Sequence, residues 1–171
     1  DTAFKISLTK VNPAIEYIDP SATPSGDGVF EGTGTITVND ANVDFDKVTV
    51  EHYTEYYDYT IKFWKVSDED ENIVFVINIP ERYTGSSYSL TSDLTDYSHA
   101  DPSYTGISFD DDTYYWTDES GFLSGDINVT FSGENMKIVT SGETKDNNTF
   151  SVSYEGKGTP NDVTSDAKQR K

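Results

Sequence analysis

Short runs of alternating apolar and polar residues follow one another along most of the chain. Gly, Pro, Asn, Asp and Ser, which favour turns, separate these runs. A period of two is typical of strands with one buried face, and the 3.6-residue period of an amphipathic helix is almost absent. The pattern predicts strands at residues 3–11, 29–38, 47–54, 59–66, 73–79, 87–91, 112–117, 122–131, 136–141 and 149–155.

These strands predict an all-β protein. We expect an antiparallel β-sandwich or a partly closed barrel of about 9–10 strands, with at most one short helix. The one helical turn is predicted within residues 91–104, where Ser92 is an N-cap and Pro102 would stop the turn. Residues 1–159 are interpreted as a single β domain, and residues 160–171 as a polar, frayed C-terminal tail.

The stretch TVEHYTEYYDYTIKFW, residues 49–64, is the richest in aromatic rings. If strand 47–54 turns back into strand 59–66, the alternation places Val50 opposite Phe63 and Glu51 opposite Lys62. The apolar pair then marks the inner face, and the pair of opposite charges marks the outer face. A tight Asn-Gly turn is absent, which favours the four-residue loop 55–58.

In this register Tyr53 and Trp64 share the outer face, and Tyr56 and Tyr57 lie at the tip. Two interpretations stay open: the outer rings cover a second layer or a sheet edge, or they form a platform on which sugar rings stack. In strand 112–117 one face carries two rings and the other face one, and either face can be core. The candidate ligand contacts are Tyr53, Tyr56, Tyr57, Trp64, Tyr114 and Trp116.

The run IVFVINI, residues 73–79, is apolar on both faces until Asn78. Such a run predicts a central strand that is covered on both sides. Pro80 ends the strand, since proline cannot donate a hydrogen bond to a ladder.

Charge and composition exclude several classes of function. Twelve basic residues against 31 acidic ones give a net charge of −19, which repels nucleic-acid backbones and anionic membranes and favours cations and neutral ligands such as sugars. The chain has no cysteine, which excludes disulfides and thiolate catalysis. No apolar run approaches the length of a transmembrane segment.

Two acidic stretches, residues 67–72 and 110–112, are predicted at strand connections. Oxygen ligands at hairpin tips suit Ca²⁺, so Asp110, Asp111 and Asp112 are candidate calcium ligands. The twelve-residue spacing of an EF-hand loop is missing from both stretches. The alternative is that these acidic tips are solvated turns that protect sheet edges from aggregation. No other cofactor is predicted.

The sequence provides no recognisable set of catalytic residues. The two histidines are His52, predicted on the inner face as a partly buried residue, and His99, in a polar segment. The chain lacks a nucleophile elbow, a phosphate loop and a dinucleotide fingerprint. Carboxylate pairs are uninformative in a chain with 31 acidic residues. These observations predict that the protein is not an enzyme.

Three stretches, IVFVINIPERYTGSSYSLTSD, DDTYYWTDESGFLSGDINVTF and KIVTSGETKDNNTFSVSYEGKG, resemble small secreted lipoproteins of Bacteroidetes, β-rich domains of mostly unassigned function. The likeness covers roughly residues 30–158. It rests on Thr84, Gly85, Tyr88 and Leu90, on Tyr115 and Thr117, on Ser124, Gly125, Ile127 and Val129, and on Thr149, Phe150 and Ser151. The resemblance implies export to the periplasm or cell surface, with which the start at Asp1 is compatible, and it implies no catalytic residues. Members usually carry a lipidated cysteine, which this chain lacks.

Together these features predict a non-catalytic secreted or cell-surface binding module with polysaccharide as the favoured ligand. One alternative is a structural or protein-interaction component of an envelope assembly, which pairs its edge strands with a partner protein. Another is a lipocalin-like barrel that encloses a small apolar ligand.

Overall fold

The computed structural model describes residues 26–94, 106–116 and 121–164. Within these residues the chain forms twelve strands and one short 3₁₀ turn, Glu81–Tyr83, and no α-helix. The strands are β1 Val29–Val38, β2 Ala41–Asn42, β3 Lys47–Tyr53, β4 Asp58–Val66, β5 Glu71–Pro80, β6 Ser87–Ser89, β7 Gly106–Phe109, β8 Asp112–Tyr115, β9 Phe122–Ser132, β10 Asn135–Thr144, β11 Thr149–Lys157 and β12 Asn161–Val163.

All twelve strands belong to one sheet that curls into a half-barrel. Ten of them follow the order β6-β9-β10-β11-β1-β3-β4-β5-β7-β8, while β2 pairs with β1 and β12 pairs with β3. The pairing is antiparallel except between β12 and β3, which run parallel. The predicted all-β class is confirmed.

The predicted strands that fall within the described residues are all present, with ends that differ by a few residues. The predicted strand 3–11, and most of the segment in which a helical turn was expected, lie outside the described residues. Three short strands, β2, β7 and β12, were missed. Each has two to four residues, too few for an alternation of apolar and polar positions to be recognised.

The concave, inner face of the sheet carries one continuous hydrophobic core. Phe75 stacks on Phe109 at 5.6 Å between ring centroids, and Phe109 lies 5.6 Å from Phe150. Phe122 contacts Phe150 at 5.9 Å, so rings from β5, β7, β11 and β9 meet across the interior. These rings pack against one another in the described interior, where a lipocalin-like barrel would need an open cavity for its ligand.

The register predicted for the β3–β4 hairpin is wrong by two residues. Val48, not Val50, lies opposite Phe63, and Val50 lies opposite Ile61. Asp58 joins β4 and pairs with Tyr53, so the four-residue loop is 54–57 rather than 55–58. A slip of two positions keeps every side chain on its predicted face, and for that reason alternation alone could not detect it.

The first residues of the predicted C-terminal tail form a strand, whereas residues 165–171 lie outside the described residues. Residues 161–163 form β12, which lies beside residues 51–53 of β3. Upstream of β12, Gly26 N donates to Pro160 O at 2.9 Å, which fixes the approach to this strand. The short strand escaped detection because the backbone of β3, rather than an apolar pattern of its own, holds it in place.

The central position predicted for residues 73–79 is confirmed, since β5 lies between β4 and β7. Its inner residues Phe75, Ile77 and Ile79 are fully buried. Burial on both faces is not observed: Val74 and Val76 are half-buried, and Ile73 is 46% exposed. The described residues therefore leave the outer face of β5 partly open to solvent.

Candidate functional site

The outer face of β3, β4 and β5 carries two of the predicted ligand contacts. We call this surface the outer platform and define it as Thr49, Glu51, Tyr53, Thr60, Lys62, Trp64 and Asn78. These residues point away from the core because they alternate with buried residues of the same strands. The inward and outward assignment predicted for this hairpin is therefore confirmed.

Trp64 lies at one end of the outer platform, where a β-bulge shifts the pairing of β4 with β5 between Phe63 and Trp64. Its indole Nε1 donates to Thr49 Oγ1 at 2.7 Å. Lys47 Nζ lies 5.4 Å from the ring centroid, within the range of a cation–π contact, and is also 3.0 Å from Glu71 Oε2. These contacts hold the half-buried indole in one orientation.

Tyr53 lies at the other end of the outer platform. Its hydroxyl donates to Glu51 Oε2 at 2.9 Å, and Lys62 Nζ donates to the same oxygen at 2.9 Å. Burial first, and the hydrogen bond to the Glu51 carboxylate second, raise the pKa of Tyr53. The phenol is therefore neutral at physiological pH, and its ring is fixed like that of Trp64.

Uncharged hydrogen-bonding groups lie between the two rings. Thr60 Oγ1 donates to Asn78 Oδ1 at 2.7 Å, which leaves the amide nitrogen of Asn78 able to donate elsewhere. Tyr53 pairs with Asp58, six positions before Trp64 on β4, so the rings are separated by about 20 Å along the strand. The one charged pair in the middle, Glu51 with Lys62, is mutually neutralised.

Tyr56 and Tyr57 lie at the hairpin tip, in the loop 54–57, as predicted. Tyr56 is half-buried, and Tyr57 is 49% exposed. Tyr57 has a left-handed backbone with φ of 52°, and its carbonyl accepts from Glu81 N at 2.7 Å. The tip is thus tied to the 3₁₀ turn.

Tyr114 and Trp116 do not belong to this surface, and their prediction as ligand contacts is wrong. Trp116 is fully buried and Tyr114 is 5% exposed. The Tyr114 ring packs against Phe109 and Phe122, and its hydroxyl accepts from Asn148 Nδ2 at 3.0 Å. They face inward because the curled sheet brings β9 and β11 over this face of β8, a long-range effect that alternation within one strand cannot reveal.

The candidate calcium ligands form a tight turn instead. Asp110 and Asp111 have φ values of 50° and 66°, and they link Phe109 to its partner Asp112 in a two-residue hairpin. Left-handed values at both central positions are typical of a type I′ turn, which Asp and Asn tolerate. Within the described part of the chain no group of three or more His, Asp or Glu side chains is arranged to hold a metal ion.

His52 is partly buried on the inner face, as predicted, with 15% of its side chain exposed. Nδ1 lies 3.0 Å from Asp162 Oδ1, and the enclosed Nε2 lies 3.5 Å from Glu81 Oε2 without good hydrogen-bond geometry. The imidazole also stacks on Tyr59 at 4.5 Å. Burial, and then the Glu81 and Asp162 carboxylates, raise the pKa of Tyr59 to about 12. We call His52, Glu81, Asp162 and Tyr59 the histidine clamp.

A second surface feature was missed by the sequence interpretation. β1 separates from residues 44–46 and leaves a slit lined by Gly32 and Gly34. The sequence signal was GTGTITV, residues 32–38, in which two glycines occupy inward positions of a strand, where apolar side chains are expected. An interior glycine often marks a place where another chain or a ligand approaches the backbone closely.

Comparison with protein-family models, with curated proteins and with solved structures finds no match to this chain. In the described ranges, no helix has both the length and the apolar character needed to span a membrane.

Proposed function

We propose that the protein is a non-catalytic binding module for uncharged polysaccharide, and that the outer platform is its binding surface. The observation that carries the proposal is the pair of rings, Trp64 and Tyr53, which hydrogen bonds fix at opposite ends of one solvent-facing surface. Between them lie hydroxyl and amide groups that suit the hydroxyls of a sugar chain.

Neutral sugars fit this surface for two physical reasons. Rings that are already held in place lose little conformational freedom when a ligand stacks on them, which favours binding. A neutral ligand is also neither attracted nor repelled by the electrostatic field of a protein with a net charge of −19. A polyanionic glycan would be repelled by the same field.

The histidine clamp supports the non-catalytic part of the proposal. Both ring nitrogens of His52 face carboxylates, and Nε2 is enclosed by protein. The imidazole therefore holds β3, β12 and the 3₁₀ turn together instead of facing a substrate. A general base needs an accessible nitrogen within hydrogen-bond reach of the proton that it removes.

The proposed location is the periplasm or the cell surface, which the resemblance to secreted Bacteroidetes lipoproteins supports. The alternative function, strand addition by an envelope protein, is not favoured at the two ends of the sheet. The terminal strands β6 and β8 have only three and four residues, so they offer little backbone for a partner.

Affinity electrophoresis through gels that contain neutral glucan, mannan or xylan tests the proposal. We expect retardation by at least one polymer, and we expect Trp64→Ala and Tyr53→Ala to weaken binding about tenfold or more. Thr49→Val should weaken binding less, because the indole remains but loses its anchor. Val139→Ala changes an exposed residue of β10 outside the outer platform and serves as the control.

If no neutral polymer retards the wild-type protein, the proposal is refuted. Retardation that survives in folded Trp64→Ala and Tyr53→Ala proteins would equally refute it, because the rings would then play no part. Circular dichroism of each variant shows whether its fold is retained.

A further inference from the structure

The slit lies within a hairpin whose two arms separate in the middle. β1 pairs with β2 through Thr37 and Val38, and with β3 through Val29 and Phe30. Val43 N donates to Ile36 O, but between that bond and the Phe30–Val48 pair, residues 31–35 of β1 and residues 44–46 have no backbone pairing with each other. Two adjoining cavities of about 350 and 410 Å³ occupy the gap, and both are lined by Gly32, Phe45 and Asp46.

Two glycines of β1 direct their backbone groups into this gap. Along an antiparallel strand, alternate residues point both N–H and C=O to the same side. Ile36 O accepts from Val43 N at 2.9 Å, and Phe30 O accepts from the Tyr154 hydroxyl at 2.9 Å, so even-numbered residues face away from β11. Gly32 and Gly34 lie between these two residues and are exposed, and nothing in the described chain bonds their backbone on this side.

Specific contacts hold the slit open. Phe45 turns inward and packs on Phe63 at 5.1 Å and on Tyr154 at 6.1 Å. Asp46 N donates to Trp64 O at 2.8 Å, and the Asp46 carboxylate accepts from Val66 N at 2.9 Å. Residues 44–46 are therefore bound to β4 and to the core and are drawn away from β1, whereas Val43 remains bonded to Ile36 of β1.

The glycines also leave the wall of the slit without side chains. A Cβ atom at Gly32 would lie 2.1 Å from Glu155 O, and one at Gly34 would lie 2.3 Å from Ser153 O. Both contacts are with the backbone of β11, so any other residue would disrupt the pairing of β1 with β11. The requirement for glycine thus exposes a short stretch of bare strand edge, which a second backbone can approach closely.

We propose that the slit binds an extended peptide segment with basic side chains, which adds to the edge of β1 as a short strand. This interaction goes beyond polysaccharide binding and uses a different surface. Main-chain hydrogen bonds from Gly32 and Gly34 supply the pairing, as in other cases of strand addition. Glu31, Asp44 and Asp46 line the two cavities. Among the described residues that line them, Lys47 is the one basic residue, and it is already paired with Glu71.

The charge of the surroundings selects the occupant. Lysine or arginine side chains of an added strand would meet Asp44 and Glu31 at the rim, whereas an acidic segment would be repelled. A protein with net charge −19 also attracts a basic peptide from a distance. The association should therefore weaken as salt concentration rises.

The proposal is tested by adding a synthetic peptide of alternating lysine and valine to the full chain. NMR then measures the rate of hydrogen exchange at each backbone amide, with and without the peptide. In the free protein the amides of Gly32 and Gly34 should exchange rapidly, while those of Thr33 and Thr35, which face β11, should be protected. Saturating peptide should slow exchange at Gly32 and Gly34 about tenfold or more and leave Thr33 and Thr35 unchanged.

Two controls separate backbone pairing from general charge attraction. The same peptide methylated on alternate backbone nitrogens keeps its charge but loses donors, so it should bind about tenfold more weakly. Asp44→Lys and Asp126→Lys change the net charge equally, so Asp44→Lys at the slit should weaken binding of the unmodified peptide more than Asp126→Lys, an exposed change on β9.

Several results would overturn the proposal. Protection of Gly32 and Gly34 in the free protein would show that the slit is closed. Equal binding of the methylated peptide would show that backbone pairing is absent. Protection of the two glycines by a neutral oligosaccharide, but not by the peptide, would assign the slit to the polysaccharide instead. The outer platform is tested separately, with the Trp64 and Tyr53 variants. Failure of the peptide proposal therefore does not refute polysaccharide binding at the outer platform, and failure of the platform proposal does not refute peptide binding at the slit.

Discussion

The sheet is closed at one end of β3 and open at the other. At residues 51–53 the edge is closed by β12, and the histidine clamp fixes that strand through Asp162. Just before β3, the Asp46 side chain binds Lys65 Nζ and Val66 N of β4 and draws residues 44–46 away from β1. His52 therefore binds β12 to the edge of β3 through Asp162, whereas Asp46 binds to β4 and so keeps its own segment away from β1.

The comparison shows that a sheet edge is open or closed according to where nearby polar groups find their partners. Backbone groups in the closed region are paired, so they offer nothing to a ligand. Backbone groups of Gly32 and Gly34 in the open region remain available to a ligand. This difference is why we propose strand addition at the slit and a structural role for the histidine clamp.

Replacement of Phe45 by alanine should have the largest effect, because Phe45 is the side chain that both fills the floor of the slit and contacts the core. Loss of its contacts with Phe63 and Tyr154 should reduce the free energy of unfolding by about 2–3 kcal/mol, less than for a fully buried ring. Urea unfolding followed by tryptophan fluorescence measures the change.

The matched control for Phe45→Ala is Val139→Ala, since Val139 is 49% exposed and should change stability by no more than about 0.5 kcal/mol. Equal stability of the two variants would mean that Phe45 does not hold the slit open through the core. The difference between the open and closed ends of β3 would then need another cause.

Replacement of His52 by alanine should have a smaller effect, confined to the closed end. The variant loses the stack on Tyr59 and the contact with Asp162, and we expect a loss of about 1–2 kcal/mol. Hydrogen exchange should become faster at Asn161–Val163 and stay unchanged at Gly32 and Gly34. His52→Gln, which can still donate to Asp162, should lose less. Faster exchange at the slit as well would contradict the separation of the two ends.

Much of the fold could be predicted from sequence because alternation reports which face of a strand is buried. Val50 and Phe63 were placed inside correctly even though their pairing was wrong by two residues. Registers that differ by two positions preserve both faces, so only the turn can distinguish them. Here the turn contains no glycine, and Tyr57 adopts φ of 52° without a sequence signal.

The candidate site could be predicted only in part, for a related reason. Tyr53 and Trp64 could be predicted on the outer face of the sheet because the opposite face of their own hairpin is apolar and therefore marks the buried side. Tyr114 and Trp116 had no such local reference, and distant strands bury them. The slit depends on where Asp46 and Phe45 find partners in β4 and β11, and no pattern within residues 31–46 encodes those contacts.

The smallest expected effect is a loss of folding stability in strongly alkaline solution, which is absent near neutral pH. Tyr59 belongs to the histidine clamp and Tyr154 lines the slit; burial raises the pKa of each to about 12, from 10.0 in the unfolded chain. A raised pKa means that the folded state favours the protonated phenol. The stabilisation that these phenols contribute is therefore fully present below about pH 10 and is lost toward about pH 12, as the unfolded chain releases these protons first.

Urea midpoints measured between about pH 8 and pH 12 should show this fall, and they compare the two ends of β3 directly. Tyr59→Phe and Tyr154→Phe should each make the fall less steep, because each variant removes one phenol that ionises more readily in the unfolded chain. Tyr154→Phe should in addition reduce stability at neutral pH, since Phe30 O then loses its buried donor. The double variant should keep a remainder from Tyr53, whose pKa is also raised. A pH dependence that is unchanged in the double variant would show that neither phenol is protected by folding, at the closed end or at the open one.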